Sequence, residues 1–277
     1  GRRLRPIFTL YMPVAPFVFF ALFPLYFMLI TSLKTNAELY DVTTVPFLIL
    51  RGVTFGHYQL LSAGALFWSW FVNSLFVSVA ATVISVVIGI FAAYPLARLK
   101  FPGGTSFGVA IFITYLVPPS LLFIPLFAVM STLALIDTHE GLILAYLGFS
   151  VPFATWLMMG YFRTVPVELE EAALVDGCSR FGSLIRVILP MSLPALAVVA
   201  FFAFTQWWNE FLYANVFVNS DEVRTITTGL TLFVVEDVFF WGPMMGAAVL
   251  SVLPPVVLYL IFQRWVVKGL TLGGVKG

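Results

Sequence analysis

The sequence predicts an all-α integral membrane protein, a single transmembrane domain over residues 1–277 that crosses a bilayer six times. Three observations carry this expectation. Hydrophobic residues fill 61% of 277 positions and charged residues only 10%, where a soluble domain carries about 25% charged residues. The apolar residues fall into six long runs, and a helix needs about 20 mostly apolar residues to cross the hydrocarbon core. Most of the charges collect in the connections between those runs. The net charge of +1 gives no reason to expect a nucleic-acid partner. One cysteine, Cys178, excludes an internal disulfide and reads as a small loop residue. His57 and His139 lie far apart, and no HExxH or Cys/His cluster exists, so no metal site is expected.

The first span, residues 7–33, follows Arg2, Arg3 and Arg5 as a signal sequence would. It is too long for one and lacks a small-residue cleavage site, so it reads as a retained helix. The second span is expected at 71–96 and the third at 107–133, the latter interrupted by Pro118, Pro119 and Pro125. The fourth is expected at 142–162, the fifth at 193–217 and the sixth at 243–265, with Pro254 and Pro255 interrupting the last. Proline removes a backbone donor and bends a helix. In a membrane such breaks survive only where neighbours or a wet cavity satisfy the freed carbonyls. A pathway, a hinge or a packing kink is therefore expected beside them. Gly242, Gly246, Ala247, Ala248 and Ser251 give the sixth span a small-residue face for close helix contact.

Lys and Arg mark the cytoplasmic side of a membrane protein. With the N-terminus inside and the spans alternating, the inner segments hold Arg2, Arg3, Arg5, Arg98, Lys100, Arg163, Arg180, Arg186, Arg264, Lys268 and Lys276. The outer segments hold only Lys34, Arg51 and Arg224. Both termini are thus expected in the cytoplasm, with the tail at 266–277.

The same assignment puts a charged island, residues 163–192, in the cytoplasm. Pro166 is placed to start a helix, because its fixed backbone angle suits the first turn. Glu168, Glu170 and Glu171 then sit where the positive end of the helix dipole favours them. Gly177 is placed to end that helix in the left-handed conformation. A second short helical run, 179–188, is expected to stop at Pro190. Such an island is either a solvated amphipathic loop or a docking helix. In the second reading Ala172 and Ala173 permit close approach, and Glu171 and Asp176 meet cations on a partner.

The run Glu171-Ala172-Ala173, then Asp176-Gly177, then Leu189-Pro190 resembles the coupling loop of bacterial ABC-importer permeases. Further similarity lies in Asn73-Ser74-Leu75, in Ala92-Ala93-Tyr94-Pro95-Leu96-Ala97-Arg98 with Phe101-Pro102-Gly103, and in Trp208-Asn209-Glu210-Phe211. The tail Gly269-Leu270-Thr271-Leu272-Gly273-Gly274-Val275-Lys276-Gly277 is similar to the end of maltose-permease-like subunits of the carbohydrate group, which have the type I fold. The resemblance implies a coupling loop that inserts into a cleft on an ATP-binding subunit, with Glu171 facing a basic residue there. It implies a tail, with Gly273, Gly274 and Lys276, that reaches between two such subunits. It further implies pairing with a homologous permease or with a second copy, an external solute-binding protein, a saccharide cargo and the bacterial inner membrane. A nucleotide-binding loop needs a Gly-Lys step. The lysines here follow Leu33, Leu99, Val267 and Val275. The chain is therefore not expected to be an enzyme or to bind a cofactor itself; ATP and Mg would sit on the partner subunits.

Gln206, Asn209, Glu210 and Tyr213 recur at three, four and seven positions, so a continuous fifth helix would put them on one face. Glu210 would lie about 24 Å along that helix from Pro194. A carboxylate at that depth is costly and by default marks a functional site. Sugars offer hydroxyls to acids and amides, and ring faces to aromatics. Gln206, Trp207, Trp208, Asn209, Glu210 and Tyr213, with Asn73, are therefore the candidate substrate path; a polar network that locks the fifth span to its neighbours is the other reading. Two other functions stay open at this point. One is an ATP-independent secondary transporter, for which Glu210 and the broken helices speak. The other is a permease for a different polar solute, such as a glycerol phosphate or a peptide.

Overall fold

The computed structural model describes residues 11–235 and 238–274, and for 65 and 266–274 it describes the backbone. Arg2, Arg3, Arg5, Glu236, Asp237, Lys276 and the first residues of the expected 7–33 span lie outside the described residues. In chain order the elements are α1 (Met12–Leu33), α2 (Asn36–Leu39), α3 (Gly56–Ala63), α4 (Ala65–Arg98), α5 (Gly104–Leu116), α6 (Pro119–Thr132), α7 (His139–Phe162), α8 (Val167–Val175) and α9 (Arg180–Ser183). A π-helical turn (Leu184–Ile188) then leads into α10 (Leu189–Met191), α11 (Leu193–Trp208), α12 (Leu212–Phe217) and α13 (Ile226–Gly229). A 3-10 turn (Leu230–Phe233), a two-stranded antiparallel ribbon of β1 (Val234–Val235) and β2 (Val238–Phe239), and α14 (Trp241–Gly274) complete the chain.

Among the described residues, four helices are long and apolar enough to cross a membrane: Met12–Leu33, Leu66–Arg98, His139–Phe162 and Trp241–Trp265. Two further apolar pairs are sharply bent, α5 with α6 by 94° and the 180–191 segment with α11 by 77°, and the number rises to 6 if each pair is one span. The first bend has its cause in sequence. Val117 and Pro118 each precede a proline and are pushed out of the helical region, to ψ 120° and ψ 127°. Pro254 and Pro255, by contrast, do not interrupt α14. Proline withholds a donor, but its φ is close to the helical value, so the helix continues through them. Pro190 likewise does not end the island's second run, because it sits in the first turn of α10.

The chain divides into two compact units: Gly1–Phe71 with Gly229–Leu253, and Val72–Thr228 with Pro254–Gly277. In the first, the segment after α1 is built around buried charge. Lys34 Nζ donates to the carbonyls of Val45 and Pro46 at 3.1 and 3.0 Å and lies 3.5 Å from the Glu38 carboxylate. Burial pushes the Glu38 carboxyl up, but the N–H groups of Leu50 and Arg51, each 2.9 Å away, and the Lys34 ammonium outweigh it and hold the carboxyl below the usual range. The His57 ring closes this knot at 2.9 Å from the Lys34 carbonyl.

In the second unit α4 and α7 pack closely. A Cβ on Gly89 would stand 2.7 Å from Ala154 Cβ, so only glycine lets the two backbones approach this far. One cluster joins Val77, Ala81, Leu142, Tyr146, Phe149, Trp207 and Tyr213. A second joins Ile90, Ala93, Tyr94, Met158, Phe162, Leu184, Ile188 and Val199. Burying a large apolar side chain is worth roughly 1.5–3 kcal/mol, and the second cluster is what seats the charged island on α4, α7 and α11.

The connection before α7 carries a titratable lock. Asp137 Oδ1 accepts from the N–H groups of Asn219 and Ser220, both at 2.9 Å, and from the Ser220 hydroxyl at 3.1 Å. Burial pushes this carboxyl up; the Ser220 and Asn219 donors and the Arg224 charge outweigh it and lower it. A carboxyl lowered in the folded state stabilises above its unfolded value of about 4, and that contribution is lost as pH falls through the folded value. Amide exchange at Asn219 and Ser220 is therefore expected to accelerate below about pH 4, and Asp137→Asn to show no such acid limb. Exchange in the wild type that ignores pH over that window would contradict this.

Candidate functional site

The island is a helix, a glycine turn and a second helical run. Pro166 is the residue just outside α8, with an extended ψ of 132°. The C-terminus of α8 closes through two backbone bonds: Gly177 N–H to the Leu174 carbonyl at 3.1 Å and Cys178 N–H to the Ala173 carbonyl at 2.9 Å. That pairing requires a left-handed residue at 177, and Gly177 has φ +86°. Ser179 then caps α9, its hydroxyl accepting from Gly182 N–H at 3.1 Å. Leu189 N–H reaches back to the Leu184 carbonyl, which makes 184–188 a π-helical turn.

Burial sorts the island's residues into two faces. Glu171, Ala172, Asp176, Gly177 and Pro190 are exposed, while Ala173 is buried and Leu189 is half-buried. Glu170 is turned the other way and is 5% exposed. Its Oε1 accepts from the Tyr94 hydroxyl at 2.5 Å, and its Oε2 lies 3.6 Å from Arg98 Nε. Arg98 Nη2 also donates to the Val165 carbonyl at 2.6 Å. Sequence reasoning placed Glu170 with Glu168 and Glu171 at the dipole-favoured start of the helix and did not distinguish the direction it faces. The available signal was its spacing of three from Ala173, the other inward residue of α8.

The second constellation lies where the expected fifth helix fails. α11 stops at Trp208 and α12 begins at Leu212. The Glu210 side chain makes this break. Its carboxylate accepts from Tyr213 N–H at 2.8 Å and Ala214 N–H at 3.1 Å, donors that a continuous helix would give to the carbonyls of Asn209 and Glu210. The Tyr146 hydroxyl donates to the same carboxylate at 2.8 Å, and the Thr227 hydroxyl donates to the Glu210 carbonyl at 2.6 Å. The straight-helix depth for Glu210 therefore does not apply. Trp207 stacks on Tyr146 with ring centres 4.3 Å apart and planes at 10°. Tyr213 reaches the Pro119 carbonyl at 2.7 Å, which ties this break to the bend between α5 and α6.

The structure thus brings Glu210, Tyr146, Tyr213 and Trp207 together. Trp208 is buried and stacked on Phe204 at 5.7 Å, while Gln206 and Asn209 are exposed. Asn73 is held elsewhere, its amide donating to the carbonyls of Glu222 and Arg224 at 2.7 and 3.0 Å. Gly273 and Gly274 are described in backbone as the end of α14, and Lys276 lies outside the described residues. Among the described residues no group of three or more His, Cys, Asp or Glu is placed to hold a metal ion.

Residues 85–272 match the family described as binding-protein-dependent transport system inner membrane component. The chain is 35% identical to the inner membrane ABC transporter permease protein YcjP of Escherichia coli K12, over 96% of this chain and 95% of that protein. It is 36% identical to the trehalose transport system permease protein SugB of Mycobacterium tuberculosis, over 93% of each. Among solved structures it shares a fold with a chain of a bacterial ABC transporter involved in the import of the acidic polysaccharide alginate. The TM-score is 0.80 at 24% identity, covering 96% of this chain and 98% of that one.

Proposed function

We propose the following function from one premise: the chain belongs to the family of binding-protein-dependent transport system inner membrane components. It is a permease subunit of an ATP-driven importer for sugars or oligosaccharides, and ATP hydrolysis resides in separate subunits. Within that frame α8 is the docking helix for one ATP-binding subunit, with Glu171 and Asp176 facing it, Ala172 allowing close approach, and Gly177 setting the turn, while Ala173 faces inward and lets α8 sit close on the protein's own core. Leu189 and Pro190 carry the island's second run back toward α11. The observation that supports this reading is the sorting of α8 into an exposed face, with Glu168 and Glu171 among apolar Val167, Leu169 and Val175, and a face seated on the protein's own core.

The rest of the assembly follows from this placement. Six spans, counting each bent pair as one, put both termini and the island on the cytoplasmic side, as the Lys and Arg distribution favours. Two ATP-binding subunits holding ATP and Mg sit there, and the tail with Gly273, Gly274 and Lys276 reaches between them. A second permease completes the pathway, and a solute-binding protein delivers cargo from outside. A saccharide is the cargo in keeping with the trehalose permease to which this chain is similar. Trp207 and Tyr213 are buried against the protein's own core. Direct cargo contact from this subunit is therefore best sought at exposed Gln206 and Asn209, which immediately precede the break at Glu210.

The test is ATPase activity of the purified complex in lipid discs, with and without binding protein, across a panel of neutral and acidic saccharides. Stimulation by one loaded binding protein is expected, and it identifies the cargo. Absence of a copurifying ATPase, or uptake indifferent to ATP, would remove the importer reading in favour of an ATP-independent transporter.

A further inference from the structure

We propose that Glu170 is a positioning residue that fastens the docking helix to the end of α4, so that α8 and the Arg98 end of α4 move as one piece when ATP is bound. The proposal rests on the reading above that α8 meets the ATP-binding subunit.

Two adjacent carboxylates in α8 have opposite fates. Glu171 is exposed, whereas the Glu170 side chain is 6% exposed and paired with an Arg98 side chain that is 4% exposed. Tyr94 and Arg98 stand four residues apart and so share one face of α4. That face holds the island at three places. Arg98 takes the Val165 carbonyl just before α8 at 2.6 Å, Tyr94 takes the Glu170 carboxylate within α8 at 2.5 Å, and the Tyr94 hydroxyl is 3.3 Å from the Arg180 carbonyl just after it. The chain itself connects α8 only to α7 and, through 176–192, to α11. Without Glu170, α4 would hold the island only at the flanks of α8, through Val165 and Arg180, and through the apolar cluster beneath the second run. The carboxylate adds the contact made by α8 itself, into a helix more than sixty residues away in sequence.

A buried ion pair is weak evidence for stability, because desolvation offsets its attraction. Its effect is geometric. Removing one partner leaves a buried charge uncompensated, so the pair holds a single arrangement and resists any other. A docking helix needs that property: a load on its outer face must displace the spans instead of deforming the joint.

The experiment uses the whole complex, with both permeases, ATPases and binding protein, in proteoliposomes. Nitroxides are placed at Glu168→Cys and Lys100→Cys in a Cys178→Ser chain; both positions are exposed. In the wild-type background the distance between the labels is expected to be unchanged by ATP. In Glu170→Ala it is expected to change with ATP, and solute taken up per ATP hydrolysed to fall roughly tenfold or more, as for loss of one partner of a buried pair. Glu170→Gln keeps an acceptor for Tyr94 and should fall between the two. A label distance that changes with ATP in the wild type overturns the proposal. So does a Glu170→Ala complex whose ATPase and uptake decline in parallel, with the ratio unchanged, since that marks a folding role alone. Failure of the underlying importer reading looks different: the unsubstituted complex would show no ATP-dependent uptake at all, and the proposal would fall with it.

Discussion

Gly177→Pro is expected to abolish uptake while the chain remains in the membrane. Proline fixes φ near −65°, and residue 177 stands at φ +86°. The substitution also removes the N–H that reaches the Leu174 carbonyl at 3.1 Å. The cost is roughly 3 kcal/mol or more, confined to the end of α8. Gly177→Ala separates direction from space. A Cβ there meets nothing within 4 Å, so only the left-handed backbone is penalised, by about 1–2 kcal/mol. Uptake should survive in the alanine variant and vanish in the proline one. Glu171→Lys is the companion change. The side chain is exposed in the isolated chain, where a surface substitution usually shifts stability by no more than about 0.5 kcal/mol. Loss of uptake in that variant at normal membrane abundance therefore reports contact with the ATPase. Normal uptake in either Gly177→Pro or Glu171→Lys would defeat the docking role of α8.

Glu210→Leu is expected to produce a complex that assembles poorly and inactivates at lower temperature. The leucine leaves the Tyr146 hydroxyl, on a side chain 1% exposed, without its acceptor. It also uncaps Tyr213 and Ala214. An unsatisfied buried hydroxyl costs about 1–3 kcal/mol and a lost cap about 1 more. A combined loss of that size lowers a thermal midpoint by roughly 5–15 °C. Glu210→Gln keeps a side-chain oxygen for the same donors and should retain assembly and most uptake. Thermal inactivation in discs, followed together with uptake, distinguishes two roles for the carboxylate. If glutamine preserves the midpoint but abolishes uptake, the charge at 210 serves the cargo or a proton, and the capping account is wrong.

The same residues mark how far sequence reasoning reached. Hydrophobic runs located the apolar helices, the Pro118-Pro119 pair located the bend between α5 and α6, and Gly177 located the left-handed turn, because each is a local rule. The break at 209–211 obeys no local rule. Trp208, Asn209 and Phe211 carry neither proline nor glycine, and helical spacing joined Gln206 to Tyr213 as one face. What ends α11 is a carboxylate that takes two backbone donors, and the Thr227 hydroxyl, 17 residues on, that takes the Glu210 carbonyl. The inward turn of Glu170 was illegible for a similar reason. A first-turn glutamate satisfies the helix dipole whether it faces water or protein, and the partners that decide, Tyr94 and Arg98, are more than seventy residues away. Proline misled in the opposite direction at 190, 254 and 255, where its fixed φ mattered more than its missing donor.

The π-helical turn at Leu184–Ile188 carries one residue more than an α-helical path over the same rise would hold. One residue turns an α-helix by about 100°. A deletion in the ordinary helix on either side would swing the 180–183 segment by that angle, whereas a deletion within this turn restores α-helix and leaves the segment's bearing in place. The bearing of the island's first helical part is therefore written partly in a residue count.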